Sequence, residues 1–415
     1  MPDVNNRAPY LHDKIPMPPP VSSPRLPPSM VALMAVATGL TVASNYYAQP
    51  LLHTIARYFD LSIASAGFLV TTAQLGYSLG LMLLVPLGDI LERRRLIVGM
   101  SLLVAAGLLL TAFGRQFWLI LLGTALTGLF SVVAQVLVPY AASLAAPSER
   151  GRVVGTIMSG LLLGILLART LAGALAALGG WQTVYWVAAI LMSLMAFALW
   201  RTLPAHRPDT RLSYPRLLAS VFLLFVEEPV LRLRALLGAI VFGAFSLLWT
   251  PMAFLLARAP FHYSDATIGL FGLAGAAGAL AASRAGRLAD AGHAGRATTF
   301  GLCCLLLSWL PIALAKSSIV AFVIGVLLLD LAVQAVHVTN QSVIYRTRPE
   351  ARSRLTAAYM TCYFIGGALG SVTSTAIYMV ADWTGVMIAG AILTLTGLVI
   401  WWFSTERKVI DRHAA

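Results

Sequence analysis

The chain has 415 residues, 59% of them hydrophobic and 11% charged, with a mean hydropathy of +0.83, whereas soluble domains carry about a quarter charged residues. That composition excludes a soluble globular enzyme. The net charge of +13 comes from Lys and Arg in short clusters between apolar blocks, a pattern of membrane topology rather than of nucleic-acid binding. Runs such as Leu102 to Leu110 and Val326 to Leu329 lack the alternation of barrel strands, which leaves helices of about 20 residues crossing about 30 Å of hydrocarbon.

Residues 1–28 hold nine prolines and no helical period, so they read as a disordered tail. Met30 to Ala48 is longer than the apolar core of a signal peptide and runs into Asn45-Tyr46-Tyr47-Ala48-Gln49-Pro50, which makes it the first membrane span. Eleven more spans follow, at about 67–87, 96–113, 117–142, 153–178, 183–201, 233–256, 267–283, 297–315, 318–345, 354–378 and 384–404. Two six-helix halves, 29–201 and 233–404, are separated by a linker at 202–232, and 405–415 forms a second tail. Within the linker, Leu217 to Val226 is apolar but too short to cross, and it is expected to lie on the membrane surface. Cys303, Cys304 and Cys362 all fall inside apolar blocks and read as small core residues, with no disulfide framework or metal site indicated.

Of the 29 Lys and Arg residues, 24 lie in the tails and one set of alternating gaps, four lie in the other set, and Arg169 lies inside span 5. Both termini are therefore expected to be cytoplasmic. The halves repeat: Pro50 and Asp89 recur as Pro251 and Asp290 at an offset of 201, and Pro147, Arg150, Arg152 and Gly164 recur as Pro349, Arg352, Arg354 and Gly366 at 202.

Polar residues inside the spans mark the expected site. Asp330 is placed near the middle of span 10, where a carboxylate is tolerated only facing protein or water. Asp330, Gln334, His337 and Gln341, at i, i+4, i+7 and i+11, share one helical face. An acid and an imidazole on one wet face suit reversible proton binding. Span 4 carries a neutral stripe of Thr124, Gly128, Ser131 and Gln135, span 1 adds Thr38, Asn45 and Gln49, and span 7 offers Ser246, Trp249 and Thr250 beside Pro251. Tyr46, Tyr47 and Trp249 are aromatic faces for a substrate or interfacial anchors. At 1.5 Å per residue, Arg169 lies roughly 13 Å and Asp330 roughly 18 Å deep. These depths allow them to pair across the halves, or let Arg169 attract an anionic substrate while Asp330 takes the proton. The paired glycines Gly76/Gly80, Gly160/Gly164 and Gly269/Gly272/Gly275 read as close helix contacts. The chain has no Gly-x4-Gly-Lys-Ser/Thr loop, which argues against ATP-driven transport within it.

Between spans 2 and 3, Pro86-Leu87-Gly88-Asp89-Ile90-Leu91-Glu92-Arg93-Arg94-Arg95 resembles the Gly-x-x-x-Asp-Arg-x-Gly-Arg-Arg loop of the major facilitator superfamily, and a looser copy follows at Gly286-Arg287-Leu288-Ala289-Asp290. In the first copy Val85, Ile90 and Glu92 replace the first Gly, the first Arg and the second Gly of the motif. Span 5 matches the spacing of the efflux branch's signature at Gly155, Gly164 and Gly173, with Ala168 and Arg169 where Gly-Pro stands in that branch and Ala172 for another Gly; Thr124 replaces the span 4 arginine. The chain thus resembles the bacterial twelve-helix efflux branch that includes drug:proton antiporters. The resemblance implies an all-α transporter with spans 1, 4, 7 and 10 lining the cavity, and Asp89, Arg93, Arg94 and Asp290 as a conformational latch. It also implies efflux of a small organic compound in exchange for protons. From these readings we expect a monomeric inner-membrane transporter, with Asp330 and His337 coupling protons and Asn45, Gln49, Ser131, Gln135, Arg169, Trp249, Gln334 and Gln341 facing the substrate. No cofactor other than a proton gradient is expected, and no nucleic-acid partner. Uptake or uniport by the same fold is the alternative; an intramembrane enzyme or a sensor is a remote one.

Overall fold

A computed structural model of the chain describes residues 26–146, 148–205, 213–281, 293–348 and 351–404. Among these residues every regular element is helical. Span 1 comprises Pro28–Ala43, a 3₁₀ turn Gln49–Leu51 and a short helix Leu52–Tyr58. Spans 2 and 3 are Ile63–Leu83 and Arg93–Phe113. Span 4 is two helices, Phe117–Phe130 and Val133–Leu144. Spans 5 and 6 are Arg150–Gly179 and Trp181–Thr202. Span 7 joins Pro229–Trp249 to Met252–Leu256, followed by span 8, Asp265–Ala281, span 9, Ala294–Ala313, and span 10, Ile319–Thr347. Spans 11 and 12 share the helical run Arg352–Phe403, broken at Asp382 by a backbone φ of 53°.

Local chemistry sets several of these boundaries. Span 2 begins four residues earlier than its hydropathy indicates because the Ser62 hydroxyl accepts from the Ser65 N–H at 3.1 Å, an N-cap that satisfies one of the helix's free donors. Ser318 does the same for span 10, accepting from the Ala321 N–H at 3.2 Å. Gly180 separates spans 5 and 6 at a φ of 85°, which glycine adopts without steric cost. Pro50 and Pro251 both sit where their span is interrupted, as expected of a residue that cannot donate to the helical ladder.

Spans 1, 4 and 7 are therefore broken while span 10 is continuous. This corrects the polar face drawn for span 4. The break at Ser131 and Val132 separates Ser131 from Gln135 in register, and the Ser131 hydroxyl instead donates to the Thr127 carbonyl at 2.5 Å and meets the Ser44 hydroxyl at 2.8 Å.

Span 1 packs on span 5, span 3 on spans 4 and 6, span 7 on spans 11 and 12, and span 10 on spans 8 and 9. Between the two sets of six, span 2 packs on span 11 and span 5 on span 8. The perimeter carries exposed apolar side chains such as Leu178, Phe197, Leu310, Val380 and Phe403, a surface suited to lipid. The linker forms a helix at Tyr214–Glu227 that buries Leu217, Val221 and Leu224 on one face. At its start the Tyr214 hydroxyl donates to the Leu83 carbonyl at the end of span 2, and at its other end Glu227 and Glu228 bind Arg348 at 2.7 and 2.6 Å.

Candidate functional site

A cavity of about 510 Å³ lies between the two sets of spans. Its inner end is bounded by Tyr46, Arg169, Phe245, Gly275 and Asp330, and its wall continues past Gln135, Gln334, His337 and Gln341 to Tyr345, Arg352 and Ser353. Arg352 and Ser353 are exposed, so the cavity meets the surface at the arginine-rich ends of the helices. The opposite end is closed. There the Thr54 hydroxyl donates to Asp265 at 2.6 Å, linking span 1 to span 8, and the Thr170 hydroxyl donates to the Gly269 carbonyl at 3.0 Å, linking span 5 to span 8.

The inner end is a chain of contacts drawn from four spans. Arg169 Nε donates to Gln49 Oε1 at 2.6 Å. The guanidinium carbon lies 3.9 Å from the centroid of the Trp249 ring, 4.9 Å from that of Tyr46 and 5.5 Å from that of Phe245, which are cation–π distances. The Trp249 indole N–H then donates to Asp330 Oδ1 at 3.1 Å. The two buried charges thus share one indole, and among the described residues no ion pair joins them.

Further along span 10, His337 Nδ1 lies 3.0 Å from the Tyr359 hydroxyl, and its ring packs on Tyr363 at 4.6 Å. Tyr359 also accepts from Asn340 Nδ2 at 3.5 Å. Asn340 Oδ1 in turn accepts from the fully buried Arg234 at 3.1 Å, while Arg234 donates to Thr298 Oγ1 at 2.7 Å and covers the Trp401 ring. A polar network therefore runs from the cavity wall into the second six-span set.

Of the residues singled out from sequence, Gln135, Arg169, Asp330, Gln334, His337 and Gln341 line the cavity. Gln49 and Trp249 stand behind the wall, holding Arg169 and Asp330, and Gln341 reaches Met360 Sδ at 3.7 Å. Asn45 is buried with both side-chain polar atoms unpartnered, and Ser131 is taken up by the contact with Ser44. Sequence reasoning missed Arg234, counted there only as a topology charge, and the aromatic wall of Tyr77, Phe242, Phe245, Tyr363 and Phe364. Phe242 stacks on Tyr363 at 4.1 Å, and Tyr77 lies 4.2 Å from Phe364 across the two sets of spans. An arginine in the second turn of span 7 was the available signal for Arg234; the aromatic residues carried none that separates them from core.

In the loop after span 2, Asp89 pairs with Arg93 at 3.7 Å. Arg93 also donates to the Gly88 carbonyl and to Ser143, and Glu92 takes Arg94 and Arg95 at 3.4 and 2.8 Å. Asp89 and Arg93 share a small pocket with Ser353 and Arg354 at the start of span 11. Asp290, with its neighbours Gly286 and Arg287, lies outside the described residues.

The family model described as the Major Facilitator Superfamily matches residues 34–370 and 285–415. The chain belongs to the major facilitator superfamily. It is 63% identical over 383 residues, 92% of this chain and 97% of the relative, to the transporter YgaY of Escherichia coli O157:H7. It is 32% identical to a transporter of Streptomyces coelicolor over 88% of this chain and 85% of that one. Among solved structures, a bacterial homolog of the human lysosomal transporter Spinster is similar in its inward-facing unoccupied and occupied forms, at TM-scores of 0.72 and 0.73 and 16% and 15% identity. Each of the two matches covers 92% of this chain, and they cover 98% and 96% of those chains. This major facilitator protein is a multi-pass membrane transporter and not an enzyme.

Proposed function

We propose that this transporter is a proton-coupled exporter of the inner membrane, with both termini cytoplasmic, that moves a small organic compound by alternating access between its two six-span halves. The observation that carries the reading is Asp330, a carboxylate buried at the inner end of the cavity and held by the Trp249 indole. A carboxylate at that depth that gains and loses a proton changes the charge of the site, which can favour one arrangement of the halves over the other. His337, on the same wall and hydrogen-bonded to Tyr359, is the second proton carrier. The cavity opens at the arginine-rich ends, the cytoplasmic side by charge bias, which is where an exporter loads. The Asp89–Arg93 pair beside Arg354 fits a latch that holds the ends of spans 2 and 11 in one state and releases them in the other. No cofactor is called for beyond the proton gradient, and a single chain supplies the whole cavity.

The test is flux of a metabolite and drug panel in proteoliposomes with an imposed pH gradient, comparing wild type with Asp330→Asn. We expect gradient-driven flux to fall at least about tenfold, or about 1.4 kcal/mol, while gradient-independent counterflow persists. Wild-type flux unchanged by Asp330→Asn would move coupling away from span 10.

A further inference from the structure

We propose that the inner end of the cavity binds a zwitterion, with a carboxylate on Arg169, a protonated amine on Asp330, and an apolar body on the aromatic wall. Arg169 is 3% exposed and carries a permanent charge with five donors. Only Nε is used within the protein; Nη1 and Nη2 donate to no described residue, and Nη2 is sealed from water. A buried guanidinium with unpaired N–H groups is costly unless an acceptor arrives; Arg169 lines the cavity, and Nη1 is the group through which it can meet a ligand carboxylate oxygen.

Asp330 is similarly half-used. Oδ1 accepts from Trp249, while Oδ2 receives no hydrogen bond and faces Gly275, where a Cβ would stand 2.0 Å from it. The absence of a side chain at 275 is what lets Asp330 lie against span 8 at the cavity wall. Because Trp249 separates the two charges rather than letting them neutralise each other, both remain available to a ligand. A ligand bearing only a carboxylate would also meet the Asp330 charge, and one bearing only an amine would meet Arg169, so the pair disfavours each. Phe242, Phe245, Tyr363 and Phe364 give the remainder of the ligand an apolar surface, in a volume within the usual range for small-molecule sites.

The inference rests on the proposed proton role of Asp330 and extends it, since an ammonium group and a proton would compete for the same carboxylate, which is what exchange requires. Calorimetric titration of the purified full-length protein with L-phenylalanine, 3-phenylpropionate and 2-phenylethylamine tests it with three probes of one shape and different charge. L-Phenylalanine should bind at least about tenfold more tightly than either of the others. In Arg169→Gln its advantage over phenylethylamine should vanish, and in Asp330→Asn its advantage over phenylpropionate. Equal or tighter binding of a singly charged probe to the wild type, or no binding of L-phenylalanine at millimolar concentration, would overturn the proposal whether or not the variants fold. Binding needs no gradient, so the two readings fail separately. Zwitterion binding with gradient-insensitive flux removes only proton coupling; gradient-driven flux without zwitterion preference removes only the substrate class.

Discussion

Trp249 does two jobs with one ring: its face carries the Arg169 guanidinium and its edge carries the Asp330 carboxylate. An indole can do this because its π-face is negative and its N–H is a donor, and no aliphatic residue would hold both charges. Gly275 completes the arrangement from span 8, because any side chain there overlaps Asp330 Oδ2 and approaches Trp249 Cζ2 to 3.0 Å. Gly275→Ala should therefore displace the carboxylate and lower gradient-driven flux at least about tenfold, with an overpacking cost of about 1–3 kcal/mol that the roughly 1 kcal/mol of added helix propensity offsets only in part. Gly155→Ala is the control, since a Cβ there meets nothing within 4 Å. If Gly275→Ala transports like wild type, the position of Asp330 is not what coupling depends on.

At the scale of elements, the same tension between apolar helix and buried charge appears at Arg234, which ties span 7 to Thr298 on span 9, to Asn340 on span 10 and to Trp401 on span 12. Removing it leaves buried acceptors without donors, so Arg234→Met should destabilise the protein by about 1–3 kcal/mol, read as a lower melting temperature in detergent. Asn340→Leu should cost less, and the double variant less than the sum of the singles; strict additivity would mean that the two side chains do not act together. The sequence made the spans legible because each is a long apolar block, and it made the span 10 stripe legible because that helix is unbroken and its 3.6-residue arithmetic holds from Asp330 to Gln341. The same arithmetic misplaced Ser131 because span 4 breaks at that point. Arg234 stayed hidden for a different reason: its partners Thr298 and Asn340 are 64 and 106 residues away, and no local pattern reports such a meeting.

For the molecule as a whole, the cavity opens at one end only because the other end is sewn shut between the halves. Span 2 meets span 11 there so closely that a Cβ built on Gly67 stands 2.9 Å from the Thr375 Cβ, and the Thr54 to Asp265 hydrogen bond closes span 1 on span 8. Alternating access requires both contacts to open in the other state. A link across Gly67 and Thr375 should therefore trap the present state. Disulfides place their Cβ atoms about 3.5–4.5 Å apart, so a separation of the helices by about 1 Å accommodates one. In a background with Cys303, Cys304 and Cys362 changed to alanine, the pair Gly67→Cys and Thr375→Cys should crosslink on oxidation. Flux should then fall at least about tenfold and recover on reduction, while ligand still enters from the arginine-rich end. Each single cysteine should be indifferent to oxidant. Undiminished flux through a fully crosslinked protein would mean that spans 2 and 11 do not part during transport, and alternation would have to run through the contacts of spans 1 and 5 with span 8.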